Sequence, residues 1–123
     1  MIDKMSIKTP TPEMKVGNLS GGNQQKVSIG KWLASDCDIL IIDEPTIGVD
    51  IGAKRAIHDL IWRLAKEEGK SIILISSDMP EMIALARRIL VFKDKKISGE
   101  ILNLNHEVLQ YSAVSEEIGR LMA

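Results

Sequence analysis

Residues 39–46 of the chain read ILIIDEPT, four branched aliphatic residues followed directly by two acids. An uninterrupted apolar run rich in isoleucine predicts a strand that is covered on both faces, as in a parallel sheet. Ligands of open α/β sheets bind beyond the carboxyl ends of the strands, where Asp43 and Glu44 are expected. Adjacent carboxylates are costly to desolvate beside a core unless a cation or a reaction uses them. A solvated acidic turn is the alternative interpretation.

The composition bounds the class of protein. Of 123 residues, 45% are hydrophobic and 27% are charged, with a formal net charge of −1, which predicts one modest domain or part of a larger one. This balance is not that of a disordered chain or a nucleic-acid-binding protein, and 3% aromatic residues argue against base stacking. The single cysteine, Cys37, excludes an internal disulfide framework. No apolar run reaches the ~18 residues of a membrane span and no signal peptide is recognised, so we expect any membrane role to be peripheral.

The sequence before the strand contains a connector and a helix. Residues 1–18 include TPTP, which argues against helix or central strand and predicts an extended connector that leads in from a part not present. Residues 19–25 read LSGGNQQ, where Ser20 is a candidate N-cap for a helix to about Ala34. The glycines would let backbone N–H groups approach an anion closely. Taken alone, this pattern fits a simple turn equally well.

The sequence after the strand predicts a helix, a second strand and a short capped helix. Asp50 can cap a helix over residues 52–68, which Gly69 is placed to end. Residues 71–75, SIILI, predict a second buried strand that ends at Ser76-Ser77-Asp78. Asp78 and Glu81 have the spacing of a capping box for a helix to about residue 87.

The C-terminal third predicts a β-hairpin and a terminal helix. Residues 89–92 and 97–101 predict its two strands, although Lys95 stands where glycine would suit a tight turn better. Residues 102–111 favour no one structure, and Ser115 is a candidate cap for a helix through residue 122. The two histidines, His58 and His106, have no metal-ligand partners at useful spacing.

Taken together, these motifs resemble those of ATP-binding cassette (ABC) transporter ATPases. Residues 19–25 resemble the family's signature motif and residues 39–44 its Walker B strand, at the family's separation. The resemblance extends from about residue 7 to residue 122. Its finer features, among them GNQQK at 22–26 and ISSDMPE at 75–81, resemble the second cassette of bacterial simple-sugar importers of the ribose, galactose and xylose type.

The resemblance implies roles for the acids and for the residue after the second strand. Asp43 would hold Mg²⁺, mostly through water, and Glu44 would orient or deprotonate the water that attacks ATP. Ser77 occupies the place of the family's switch histidine, which contacts the terminal phosphate. A hydroxyl can hydrogen-bond a phosphate or a water but carries no positive charge near neutral pH. This departure predicts a weaker site.

The resemblance also implies a site shared between two cassettes. Ser20, Gly21 and Gly22 would bind the γ-phosphate of ATP held by the partner cassette, through backbone donors and the helix dipole. Gln24 of the signature and Asp50, at the position of the D-loop, are assigned to the same nucleotide site. The alternative for Asp50 is a capping residue only, and both roles are compatible.

A phosphate-cradling Walker A loop is absent from the sequence. Gly69-Lys70-Ser71 resembles its tail, but Leu64 stands where the first glycine is required, and the order of helix and strand is reversed. We therefore predict a partial P-loop NTPase-like (ABC ATPase) α/β fold, a parallel sheet with flanking helices that lacks the Walker A strand and loop. Residues 19–123 would be the C-terminal part of one nucleotide-binding domain.

Two functions follow from this interpretation. The first is a fragment of the ATP-hydrolysing subunit of a carbohydrate importer, inactive alone. The second is an inactive interaction module that docks on other cassettes through its signature helix and D-loop.

The implied partners are the missing half of its cassette, the other cassette and membrane permease subunits, with no nucleic acid. The implied location is cytoplasmic, on the inner face of the cell membrane, and an unpaired apolar sheet edge predicts self-association.

Overall fold

The computed structural model describes residues 21–34, 36–103 and 108–123, which form four helices and four strands within those ranges. The chain divides into two compact units, with the boundary between Ile75 and Ser76. In chain order the elements are α1 (Gly21–Ala34), β1 (Ile39–Asp43), α2 (Ile51–Lys66), β2 (Ser71–Ile75), α3 (Met79–Leu85), β3 (Arg88–Lys93), β4 (Lys96–Leu102) and α4 (Val108–Met122).

The first unit is built on a parallel pair of strands. β1 and β2 pair in register from Ile39 opposite Ser71 to Asp43 opposite Ile75. Both strands and the end of α1 at Ala34 lie where the sequence predicts them. Asp50 caps α2 as expected, because its side chain accepts a hydrogen bond from the N–H of Ala53 at 2.9 Å.

One prediction for these strands is wrong, since the sheet is covered on one face only. Leu40 and Ile42 are buried, whereas the alternate positions of β1 are exposed, as are two isoleucines of β2. An aliphatic run predicts a strand but does not fix how many layers cover it. The exposed isoleucines, called the isoleucine face below, are Ile39, Ile41, Ile73 and Ile75.

The buried side of α2 follows the predicted apolar stripe closely. Its buried positions recur at three- and four-residue steps, so they fall on one side of a helix. The helix is shorter than predicted and ends at Lys66. Gly69, with φ of +67°, adopts the left-handed conformation that favours glycine after a helix. The buried residues of α2 are Ile57, Leu60, Ile61 and Leu64.

The second unit has its own apolar core beneath an antiparallel hairpin. β3 and β4 pair as predicted, with a bulge between Val91 and Phe92. The two residues of the turn, Asp94 and Lys95, both have positive φ, at 50° and 63°. Such values are those of a primed two-residue hairpin turn, which Lys95 adopts despite lacking the freedom of glycine. The core residues are Ile83, Ile89, Val91, Val114 and Ile118.

The terminal helix begins earlier than the sequence predicts. α4 already starts at Val108, so Ser115 lies inside it rather than at its N-cap. The Ser115 hydroxyl donates to the carbonyl of Ser112 at 3.0 Å, a bond to its own helix that leaves it no capping role. The short helix α3 also differs from expectation and ends at Leu85.

A buried asparagine joins α3 to the end of β4. Asn103 is 1% exposed, and its Nδ2 donates to the carbonyls of Ile83 at 2.7 Å and Ala86 at 3.0 Å. Its own N–H donates to the carbonyl of Arg87 at 2.7 Å. These bonds connect Asn103 to carbonyls at the C-terminal end of α3.

Candidate active site

The two predicted acids lie at the carboxyl end of β1. Asp43 is the last residue of the strand and is exposed, and Glu44 follows it and is half-buried. Parallel pairing places Asp43 opposite Ile75, the last residue of β2. The acids therefore occupy the edge of the sheet at which α/β proteins bind ligands, as the sequence predicts.

The turn that follows β1 is held by main-chain hydrogen bonds. The N–H of Glu44 donates to the carbonyl of Ile75 at 2.8 Å, and the carbonyl of Glu44 accepts from the N–H of Ile47 at 3.4 Å. Glu44 has a φ of 46°, in the left-handed region that costs a non-glycine residue about 1 kcal/mol. Pro45 and Thr46 are buried beneath the turn. Strain of this kind concentrates at functional sites, where the surrounding structure maintains it.

Helix α1 is connected to this turn by Gln25. Its Nε2 donates to the carbonyl of Pro45 at 3.0 Å, across twenty positions of sequence. Gln25 lies within the LSGGNQQ motif, but the sequence predicts no separate role for its side chain. No local pattern could have revealed the bond, because it depends on how α1 and the turn pack.

The start of α1 holds the predicted anion-binding glycines. Gly21 and Gly22 are its first two residues, and Gln24 is half-buried in the same turn. Ser20, predicted to cap this helix and to bind phosphate, lies outside the described residues. The N-terminus of this 14-residue helix carries the positive end of the helix dipole, which favours anions.

The part of the loop that leads into α2, residues 47–50, is largely exposed. Gly48 has a φ of +69°, so a glycine suits this turn, and Asp50 caps α2. Ile47 and Ile51 flank the loop and are 75% and 88% exposed. The loop therefore presents apolar as well as acidic groups.

Ser77 lies in the second compact unit, in the loop that follows β2. Its side chain is exposed, while its neighbours Ser76 and Asp78 are half-buried. Asp78 caps α3 as predicted, accepting from the N–H of Glu81 at 3.0 Å. The other half of the predicted capping box runs through Ser76, whose hydroxyl donates to Glu81 Oε1 at 2.7 Å.

At the carboxyl end of β1, the side chains that could bind a metal ion are the carboxylates of Asp43 and Glu44. In the three described ranges no three His, Cys, Asp or Glu side chains cluster as a metal site. An exposed carboxylate at Asp43 fits Mg²⁺, which binds proteins through one or two carboxylates and keeps several waters. His58 is half-buried in α2, and His106 lies outside the described residues.

Two exposed ion pairs of the described residues lie in the second unit. The Arg120 guanidinium hydrogen-bonds Glu117 and lowers the pKa of that carboxyl, while Glu117 raises the pKa of Arg120. The Glu100 carboxylate likewise raises the pKa of Arg88 across the hairpin. All these groups are exposed, so the pairs add little to stability.

In the described part of the chain, no helix combines the length and apolar character needed to cross a bilayer.

Comparison with known proteins identifies relatives for nearly the whole chain. The family profile described as ABC transporter matches residues 2–47. The galactose/methyl galactoside import ATP-binding protein MglA of Pasteurella multocida is 50% identical over 117 residues, which cover 92% of this chain and 23% of that protein. The ribose import ATP-binding protein RbsA of Oceanobacillus iheyensis is 53% identical over 102 residues, 83% of this chain and 20% of that protein. The chain thus spans less than a quarter of the length of these curated relatives.

Solved structures support the same assignment. A dimeric ATP-binding cassette in a post-hydrolysis state, bound to ADP and Pi, superposes with a TM-score of 0.72 at 27% identity, over 83% of this chain and 44% of that chain. A second ATP-binding cassette of an ABC transporter gives a TM-score of 0.78 over 98% of this chain and 46% of that chain, and at 21% identity shows the fold alone. The fold is therefore part of the α/β cassette fold predicted from the sequence. From these matches and the residues at the end of β1, the chain belongs to the family of ABC transporter ATPases.

Proposed function

We propose that the chain is part of the ATP-hydrolysing subunit of a carbohydrate importer and couples ATP hydrolysis to sugar uptake when the subunit is complete. The observation that carries this proposal is the pair of acids at the carboxyl end of β1, in a turn that Gln25 connects to α1. The sugar importers among its relatives support the choice of transported substrate class.

The two acids have different roles in this proposal. The exposed carboxylate of Asp43 holds the Mg²⁺ that accompanies ATP, and the remaining ligands are water and phosphate oxygens. When bound, Mg²⁺ neutralises charge that develops on the phosphates during transfer. Glu44 orients the attacking water and accepts its proton. The Glu44 main-chain bonds to Ile75 and Ile47 fix the backbone from which this carboxylate projects.

The signature residues act on a nucleotide held by another cassette. Ser20, Gly21 and Gly22 bind the γ-phosphate in trans, through backbone donors and the positive end of the helix dipole. Gln24 contributes to the same site, and Asp50 acts in communication across the dimer as well as in capping α2. The dimeric cassette bound to ADP and Pi supports an arrangement of this kind.

Ser77 contacts the terminal phosphate or the attacking water through its exposed hydroxyl. Because serine carries no positive charge, it stabilises the developing negative charge less than a histidinium would. The cassette is therefore expected to hydrolyse ATP, but more slowly than one with histidine at this position.

The proposed partners are the rest of its own cassette, a second cassette and the membrane permease. The location that follows is cytoplasmic, peripheral to the inner face of the membrane. Produced alone, the chain is expected to self-associate, since the isoleucine face leaves four large aliphatic side chains in water. Light scattering tests this expectation, and a sharply monomeric solution at micromolar concentrations would contradict it.

A chimera tests the proposed function. The matched segment of the Pasteurella multocida relative is replaced by this chain, at 50% identity, and phosphate release and galactoside uptake are measured. We expect both activities to be retained, whereas the chain alone stays at background because its sequence lacks a phosphate loop. A folded chimera that assembles with the permease but hydrolyses no ATP would instead support an inactive docking module.

A further inference from the structure

The loop that carries Ser77 is enclosed by a circuit of hydrogen bonds. The Ser76 hydroxyl donates to Glu81 Oε1 at 2.7 Å and accepts from the N–H of Asp78 at 3.0 Å. The Asp78 carboxylate in turn accepts from the N–H of Glu81 at 3.0 Å. Residues on both sides of Ser77 are thereby bound to the first turn of α3.

Glu81 is the group on which this circuit depends. Only 1% of the residue is exposed, which makes it one of the most buried side chains of the described residues. A carboxyl group that deep in the protein is costly unless its oxygens accept hydrogen bonds. Burial holds the side chain in one place, so the acceptor that it offers to Ser76 has a fixed position.

The Ser76 hydroxyl links the Glu81 carboxylate to the N–H of the capping residue Asp78. In an ordinary capping box the acid accepts directly from the N–H of the capping residue. Here Ser76 stands between them, and its donation to a carboxylate polarises the hydroxyl and strengthens its acceptance from Asp78. The bridge fixes the residue before Ser77 as well as the one after it.

We propose that Glu81, acting through Ser76, is a positioning residue that fixes the backbone on both sides of Ser77 and so sets where its exposed hydroxyl is presented. The role of Ser77 toward phosphate rests on the proposed function above. The positioning of its loop is a property of this chain alone and can be tested without nucleotide.

Amide hydrogen exchange by NMR on the 123-residue chain tests the positioning. Glu81→Met and Ser76→Ala are expected to speed exchange of the Asp78 N–H at least tenfold, while core amides such as those of Ile89 and Val91 change less than twofold. Glu81→Gln should restore protection, because its amide oxygen still accepts from the Ser76 hydroxyl. Glu116→Met, an exposed acid exchanged for the same residue in the same unit, is the matched control.

Each outcome decides the proposal. Unchanged Asp78 exchange in Ser76→Ala overturns it, as does Glu81→Gln exchanging as fast as Glu81→Met. Should Glu81→Met fail to fold, Ser76→Ala carries the test. In the chimera, Ser76→Ala is expected to lower kcat several-fold with KM for ATP unchanged. A chimera without ATPase activity would count against the proposed function and leave the exchange result standing.

Discussion

The turn after β1 and the loop after β2 follow neighbouring parallel strands but are held by different groups. Main-chain bonds from Glu44 shape the first, and side chains of Ser76, Asp78 and Glu81 shape the second. A turn shaped by its backbone keeps its form when a side chain changes, so its acids can be selected for chemistry. A loop held by side-chain hydrogen bonds changes its conformation when any one of those side chains is replaced. The turn after β1 is therefore suited to carry the proposed catalytic acids. The loop after β2 is suited to hold the Ser77 hydroxyl in one position.

Glu44→Gln in the chimera replaces the proposed base while leaving the backbone of the first turn in place. We expect ATP hydrolysis to fall 10²–10⁴-fold, the usual range for loss of a general base. Thermal stability should change little, since both main-chain bonds of Glu44 remain. Glu67→Gln, at the exposed end of α2, is the matched control and should hydrolyse normally. Equal rates for the two variants would show that Glu44 is not the base or that this cassette is silent.

The dependence of the second unit on side chains extends to Asn103. Asn103→Leu keeps the size of the residue but removes the donors to Ile83 and Ala86, whose carbonyls then lose these partners. The free energy of unfolding should fall by about 3 kcal/mol, and urea denaturation measures it. Ser112→Ala, exposed on α4, serves as the control. A loss below about 0.5 kcal/mol would mean that water replaces the amide, and the contrast between the units would weaken.

One side chain does contribute to the first turn, and Gln25→Ala measures how much. The variant loses the bond to the Pro45 carbonyl, and stability should fall by about 1 kcal/mol. In the chimera the rate should fall less than with Glu44→Gln, because the main-chain bonds still hold the turn. If Gln25→Ala lost more activity than Glu44→Gln, the conclusion that main-chain bonds hold this turn would be wrong. Urea denaturation and phosphate release provide the two readouts.

The smallest expected effect concerns the exposed pair Glu117 and Arg120. The pair lowers the pKa of Glu117 below its ordinary value of 4.5, so its contribution to stability is present above that pH and is lost as pH falls through the folded value. Arg120→Gln should raise the pKa of Glu117 in an NMR titration. The stability difference between the two proteins should narrow as the pH falls below 4.5. An unmoved pKa would show that the pair does not form in solution.

Local signals predicted most of the fold. Aliphatic runs located both parallel strands, and the caps at Asp50 and Asp78 located two helix starts. Layer number, which decides the exposure of Ile41 and Ile73, is a property of packing and has no local signal. The early start of α4 is not predicted, because residues 102–111 favour no one structure and Ser115 is a plausible cap.

The candidate site was only partly predictable for the same reason. The acids at the end of β1 were placed correctly because they follow a strand directly. The bond from Gln25 to Pro45 joins positions twenty apart, and the bridge through Ser76 replaces a bond that the capping-box spacing assigns to Glu81 directly. Sequence spacing identifies which groups are near each other along the chain, but not which third group comes between them.

The left-handed backbone at Glu44 has an evolutionary consequence. Glycine and asparagine adopt this conformation at lower cost than glutamate does. A cassette released from selection for hydrolysis would thus gain stability by losing its acid here, and substitution toward glycine or asparagine should be among the first to spread. On the proposed role of Glu44, we expect glutamate to be retained at position 44 in lineages that still hydrolyse ATP.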